Sequence, residues 1–451
     1  MNRWEKVKLS ALCTRIGDGL HGTPIYVEDS DIYFINGNNL RNGNIIIDSD
    51  TKRVSSDELA KNYIPLNDNS LLIGINGTLG NMAFYKGEKL MLGKSAAYLN
   101  FKTNISKFYY YYFQLPAIQS NFYDIATGST IKNLSLKSLQ DFEVPKPSEN
   151  EYLRIVAVLS ALDDKIKLNN RINAELEQMA KIIYDYWFVQ FDFPDAQGKP
   201  YRSSGGEMVY NEVLKRRIPE GWEVKKLGDF GSLKNGINYD PKEGGDTKAN
   251  IINVRNISQS SIFIGNEDLD VLELKNADVQ KYLVNENSII IARSGIPGAT
   301  RLIKNFFPNT IYCGFIICFN LHEFAFQNYI FYNLKIVESN LTSQSNGTIM
   351  KNINQQVLND INIIVPDDKA LQAFNAKINP LFQKIQVIME QNRHLSSLRD
   401  WLLPMLMNGQ VRVDDSSIFT NENLSAVVDT QVSSVKRSSS NISNNKKDFA
   451  K

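Results

Sequence analysis

Apolar residues along this chain keep two rhythms. In two long stretches they come as short continuous runs bounded by Gly, Asn and Asp. Ile32–Ile35, Ile45–Ile47, Ser70–Ile73 and Ala96–Phe101 lie in the first stretch, and Ala249–Val254, Ser288–Ala292 and Ile311–Phe319 in the second. Such runs predict strands of mainly antiparallel domains with helical additions. Each stretch also carries one segment of helical spacing, Phe108–Phe122 and Phe326–Leu341.

The other rhythm follows each stretch. Within Glu149–Trp187, Leu159, Leu162 and Ile166 are spaced by three and four, as are Ile172, Leu176, Met179 and Ile183, with Asn169 and Asn170 between the two groups. In the second copy the seam reads Phe374, Ile378, Leu381, Ile385, Ile388, Asn392 and Leu395. These are heptad seams with one polar break. They predict two long helices of similar length, each about 50–60 Å at 1.5 Å per residue. The seams are too long and narrow for ordinary surface helices, so the two are expected to pair rather than pack separately on their own domains. An Asn at a seam position is a known device for fixing register.

The two stretches are copies, offset by about 218 residues. Trp4-Glu5-Lys6-Val7-Lys8-Leu9 returns as Trp222-Glu223-Val224-Lys225-Lys226-Leu227. Phe34–Leu40 returns as Ile251–Ile257, Asn67–Ser70 as Asn285–Ser288, and the turn Gly77–Gly80 as Gly295–Gly298. Gly128–Leu134 matches Gly347–Ile353, and both copies run on to a Val-Pro step at Val144-Pro145 and Val365-Pro366. Matches in constant order and spacing mark a structural repeat. Between the matches the copies differ freely, which points to one scaffold with two different surfaces.

Composition narrows the class. The 451 residues are 43% hydrophobic and 10% aromatic, enough for a sizeable core and against disorder of the whole. With 50 basic and 49 acidic residues the net charge is +1, so positive charge for a polyanion has to be concentrated on one face or shared with partners. Cys13, Cys313 and Cys318 have no metal or disulfide spacing; buried thiols in a reducing cytosol are expected. His21, His322 and His394 are scattered. No apolar leader opens the chain, and no uncharged run reaches the ~18 residues of a membrane span.

The connector between the copies is the most specific wording in the chain. Phe191-Asp192-Phe193-Pro194, Gly198-Lys199-Pro200-Tyr201, Ser203-Ser204-Gly205-Gly206 and Ile218-Pro219-Glu220-Gly221-Trp222 resemble the central conserved region of type I restriction–modification specificity subunits. So does Trp401–Gln410 after the second seam. The resemblance spans residues 4–412, nearly all the chain. It implies an α+β chain with two pseudo-repeated globular target recognition domains, separated by two long helices paired as an antiparallel coiled coil. The expected divisions are 1–148 and 221–366 for the recognition domains, 149–190 and 367–410 for the helices, 191–220 for an ordered connector and 411–451 for a disordered tail. Each recognition domain would read one half of a split asymmetric site in double-stranded DNA. The helices would set the gap and dock two modification subunits, and two motor–nuclease subunits would complete the restriction complex. S-adenosylmethionine, ATP and Mg2+ would belong to those partners, with no cofactor on this chain.

The residues agree that the chemistry lies elsewhere. There is no Pro-Pro step, as the methyltransferase motif for a flipped adenine requires, and no G-x-x-x-x-G-K-[ST] loop. Asp163 and Asp164 fall on the first long helix, where a solvated face is expected. For DNA contact, chemistry directs attention to Lys, Arg, Asn and hydroxyls near glycine turns. The candidates are Asn76, Thr78, Lys94, Arg41, Lys132 and Asn133 in the first copy and Arg255, Arg293, Ser294, Lys351 and Asn352 in the second. The aromatic run Tyr109–Tyr112 is expected in the core. The competing reading is a coiled-coil scaffold that binds protein without reading sequence.

Overall fold

The computed structural model describes residues 4–240, 244–265, 269–303, 308–343, 352–411 and 413. The expected disordered tail, apart from residues 411 and 413, and Lys351 lie outside the described residues. The chain divides into two units, Met1–Ile166 with Arg393–Lys451, and Lys167–Asn392. The division falls inside both long helices, so each unit takes part of each.

In the first unit a four-stranded antiparallel sheet has the order Cys13–Asp18, Ala96–Phe101, Ser70–Gly74, Met82–Phe84. Its central strands are covered on both faces. Leu71, Ile73, Ala97 and Leu99 enter one cluster with Phe108, Phe113 and Leu159, while Leu72, Ala96 and Tyr98 enter another with Ile35, Leu40 and Leu92. This double burial is why the strands read as continuous apolar runs rather than alternating ones. The second unit repeats the design. Its five-stranded sheet runs Gly231–Asn235, Ile316–Leu321, Ser288–Ala292, Thr300–Ile303, Phe263–Ile264. Ile289 and Ile291 face one cluster, Ile290 and Ala292 the other. Each side chain so buried contributes roughly 1.5–3 kcal/mol. A second sheet in each unit contains one parallel pair, Leu90–Leu92 with Tyr33–Ile35 and Thr310–Tyr312 with Thr247–Ile252.

Several expected elements break where local chemistry demands. Phe108–Phe122 is two helices, Ser106–Phe113 and Pro116–Ile125. Pro116 has no N–H to continue the first and suits the first turn of the second, and it keeps Leu115 extended at ψ 131. Its counterpart Gln327–Ser343 has no proline and is unbroken. Ile311–Phe319 divides into Thr310–Tyr312 and Ile316–Leu321 around a turn. Ala249–Val254 ends as strand at Ile252, because Asn253 and Asn256 close a capping box that starts the helix Val254–Gln259. Of the Ile45–Ile47 run only Ile45 pairs as strand, within Asn44–Ile45.

The long helices span Glu149–Tyr184 and Asp368–Met407, and the first continues as a π-turn over Asp185–Val189. Each start is tied to the tryptophan that opens its copy. Trp4 Nε1 donates to Glu151 at 3.2 Å while Glu151 accepts the Ser148 N–H. Trp222 Nε1 donates to Asp367 at 3.3 Å while Asp367 accepts the Ala370 N–H. A carboxylate at a helix N-terminus satisfies orphan N–H groups and the dipole, and the indole holds it in place.

Within each unit the helix segments run antiparallel. In the first, Asp163 accepts from Arg399 at 2.8 Å and Arg154 donates to the Val413 carbonyl at 3.3 Å. In the second, Asn169 donates to Asn392 at 2.8 Å, and Tyr184 packs on Phe374 with ring centroids 6.1 Å apart. Leu159, Leu162, Ile378, Ile385, Ile388 and Leu395 are buried; Ile166, Ile172, Leu176, Ile183 and Leu381 are half-buried, and Met179 is exposed. The spacing missed Phe382, which is buried. Asp163 departs from the solvated face expected for it. It is half-buried, held by Arg399 and by Tyr111 Oη at 2.7 Å, while Asp164 is exposed.

The connector is ordered by its aromatics. Phe193 stacks on Trp222 at 4.8 Å and on Tyr201 at 4.7 Å. Asp192 accepts from the Ser203 N–H and hydroxyl at 2.7 and 2.6 Å. The run Tyr109–Tyr112 lies against the core: Tyr109 and Tyr111 are buried, and Tyr109 Oη donates to the Pro145 carbonyl.

Candidate nucleic-acid interface

The motif matches between the copies build one hydrogen-bonded frame twice. Asn36 and Asn253 each donate backbone N–H to a side chain three residues on, Asn39 at 2.9 Å and Asn256 at 2.7 Å. Ser70 and Ser288 each accept the N–H of the Asn three residues earlier and donate to an Asn on the neighbouring strand, Asn100 at 2.7 Å and Asn320 at 2.6 Å. These repeated polar residues are therefore consumed by turns and caps.

At one end of each unit the frame gathers loops. The strand Ser70–Gly74 leads into a turn closed by Gly80 N–H on the Gly74 carbonyl, and Ser288–Ala292 into one closed by Gly298 on Ala292. Gly80 and Gly298 have φ of +78 and +83, the left-handed region that glycine tolerates. Ile75 N–H bonds the Ser95 carbonyl at 2.9 Å, and its own carbonyl accepts the Leu134 N–H at 2.8 Å. In the second unit Arg293 N–H bonds the Phe315 carbonyl at 2.8 Å, and its carbonyl accepts the Ile353 N–H at 2.9 Å. Antiparallel bridges Asn76–Asn133 and Ser294–Asn352 complete each set. Arg293 thus stands where the first unit has Ile75, Ser294 where it has Asn76, and Phe315 where it has Ser95.

This frame brings most sequence candidates together. Asn76, Lys132 and Asn133 meet at the bridge, with Lys132 and Asn133 exposed, and Lys94 is exposed beside Ser95. Thr78 lies in the same turn, but its hydroxyl is buried under Gly37 and without a hydrogen-bond partner among the described residues, so it shapes the turn rather than facing outward. Arg41 is exposed on a neighbouring hairpin, its Nε on the Asn38 carbonyl at 3.1 Å. In the second unit Arg293, Ser294 and Asn352 converge. Arg255 follows the adjacent Asn253 turn and is bound to Asp270 at 2.6 Å. Sequence reasoning passed over Phe315, because the apolar run Ile311–Phe319 reads as one strand; Gly314 was the available sign of a turn.

Burial pushes the Cys313 thiol up, and burial raises Tyr239 beside Cys313, Asp270 and Arg255. Among the described residues no group of three or more His, Cys, Asp or Glu could hold a metal ion, and no helix is long and apolar enough to cross a membrane.

Two copies of one mixed helix-and-strand domain, each ending in a polar loop cluster on a shared backbone frame, define a chain with two matching candidate interfaces. The model of the type I restriction modification DNA specificity domain matches residues 1–178 and again 219–394. The chain belongs to this family and is a type I restriction–modification specificity subunit carrying two such domains. It is 29% identical over 316 residues to the type I restriction enzyme MjaIX specificity subunit of Methanocaldococcus jannaschii, covering 69% of this chain and 70% of that one. It is 24% identical over 345 residues to the HindI specificity subunit of Haemophilus influenzae, covering 63% and 72%. The fold is shared with the crystal structure of the S subunit of the type I restriction–modification system from M. genitalium, at TM-score 0.50 and 15% identity over 92% of this chain and 97% of that chain.

Proposed function

We propose that each half of this chain reads one half of a bipartite, asymmetric site in double-stranded DNA, without catalysis of its own. The observation that carries the reading is the repeated frame. Identical backbone bonds hold different side chains at matching loop positions, as expected of two readers of different sequences. Lys94, Lys132, Asn133 and Asn76 serve the first half-site, and Arg293, Ser294, Asn352 and Lys351 the second. Arg41 and Arg255 contact phosphate, which positions a protein without specifying sequence.

The paired helices act as an antiparallel coiled coil that fixes the gap between half-sites, about one DNA turn (~34–36 Å) being a common solution. The antiparallel packing of their segments within each unit supports this. Two modification subunits dock on the paired helices, and two motor–nuclease subunits join in the restriction complex. An apolar groove of about 740 Å³ in the first unit, lined by Trp4, Tyr112, Leu115, Leu403, Pro404 and Met407 among others, supports a protein partner there. S-adenosylmethionine, ATP and Mg2+ act on those partners, in the cytoplasm.

Co-expression with the neighbouring modification subunit and genome-wide mapping of methylated adenines tests the reading. The expected result is a split motif with a fixed gap that disappears without this chain. A soluble complex with no sequence-dependent methylation would bring the scaffold reading forward.

A further inference from the structure

The two loop clusters share a frame but differ in what their side chains do for the fold. In the first unit Ile75 is buried in the core and Ser95 is committed, donating to Asn36 Oδ1 at 2.8 Å and accepting the Gly37 N–H at 3.0 Å. In the second unit the matching side chains are free of such duties. Phe315 is 64% exposed, the most exposed aromatic of its unit among the described residues. Arg293 is half-buried, and no hydrogen bond or ion pair holds its guanidinium among the described residues. The two are joined through the Arg293 N–H on the Phe315 carbonyl, so their backbones are held together at 2.8 Å. Neither side chain is needed to close the turns, because the same backbone bonds form in the first unit with different residues.

An exposed phenyl ring by itself says little. Beside an uncommitted guanidinium it does more. Arginine presents a rigid fork that matches O6 and N7 of guanine, and an apolar side chain discriminates the C5 methyl of thymine. Polar hydrogen-bonding groups lie nearby, Ser294 and exposed Asn352 on one side and, on the other, Asn238, whose side-chain oxygen takes the place that a Cβ on Gly314 would fill. Serine and asparagine side chains of this kind can hydrogen-bond phosphate oxygens and base edges.

We infer that Arg293 and Phe315 are the specificity-determining pair of the second half-domain, Arg293 reading a guanine and Phe315 the methyl of an adjacent thymine. The inference rests on the DNA-reading function proposed above and names the residues and base chemistry of one half. In the first half the matching positions hold Ile75 and Ser95, so that half reads its bases by other side chains.

The test uses the full chain with its modification subunit, comparing the methylation motifs of the wild type, Arg293→Ala, Arg293→Lys and Phe315→Ser. Arg293→Ala is expected to relax one G·C position of one half-site by about tenfold or more, leaving the other half-site and the gap unchanged. Arg293→Lys is expected to relax the same position although it keeps the charge. Phe315→Ser, which installs the residue of the first half, is expected to relax the neighbouring T·A position. Circular dichroism melts of the three variants check that the fold is kept. Several results overturn the inference: an unchanged motif in all variants, a uniform loss over both half-sites, a motif kept by Arg293→Lys as a phosphate contact would allow, or folded variants that no longer bind the modification subunit. A wild-type complex with no motif sinks the DNA-reading function itself, and this inference with it.

Discussion

The cysteines show how far a residue's surroundings can override its intrinsic chemistry. Cys13, Cys313 and Cys318 are free and buried. Burial pushes the thiols of Cys13 and Cys318 up to about 12, from an ordinary value near 9. The thiolate is the reactive form, so native protein at pH 8 is expected to leave both unmodified by a disulfide reagent, with full reaction only in denaturant. Rapid reaction of either thiol in the native state would show that the strands around it open. The linkage has a definite sign. Between pH 9 and about 12 the unfolded chain releases these protons while the folded chain keeps them, so they lower stability as pH rises through that window. Urea melts across the range, compared with Cys318→Ala, measure that contribution. Asn36, Asn253, Ser70 and Ser288 teach the same lesson from the polar side: they recur because turns consume them, not because a ligand does.

At the scale of elements, the two units solve one packing problem with opposite chemistry. Tyr109 and Tyr329 each donate their hydroxyl to a carbonyl of the strand that precedes a long helix, Pro145 and Ile364, which aligns the helices after them. Two residues on, the first unit has Tyr111 bonded to Asp163 and through it to Arg399. The second has Phe331 against Phe382, ring centroids 6.3 Å apart, with Ala180 buried in the same cluster. An ionic helix contact in one unit and an apolar one in the other keep the helix segments from being interchangeable, since a segment in the wrong place would bury a charge without its partner. Arg399→Ala leaves Asp163 with the Tyr111 hydroxyl but without its cation. With both charged side chains about a third exposed, the expected cost is about 1–3 kcal/mol in urea denaturation, less than for a fully buried pair. Adding Asp163→Asn should recover part of it. A loss below about 0.5 kcal/mol would put the pair among ordinary surface ion pairs.

For the whole molecule, the repeat makes function modular. Replacing residues 1–148 by the matching domain of a relative is expected to change one half-site of the methylation motif and leave the other intact. Removing a heptad from either long helix should alter the gap or abolish assembly with the modification subunit. Adenine mapping checks both, and a single-domain exchange that altered both half-sites would defeat the modular reading. The near-neutral net charge of +1 belongs at this scale too, because it requires positive charge for a polyanion to be concentrated on one face or shared with partners.

Spacing and repetition determined that there are two copies of a strand-rich domain and two long helices, and the wording of the connector carried its order and the family resemblance. Those properties rest on periodicity and local turn chemistry, which a chain carries in its order. The breaks at Pro116 and Asn253 were also written locally, though apolar continuity masked them. Tertiary structure alone decided what each exposed-looking polar residue is for. Asp163 reads as solvated until Arg399, far away in sequence, arrives beside it. Thr78 reads as a donor until Gly37 covers its hydroxyl. Phe315 reads as core until the turn at Gly314 exposes it beside Arg293. A side chain's burial and partners depend on segments distant along the chain, and no local pattern contains them.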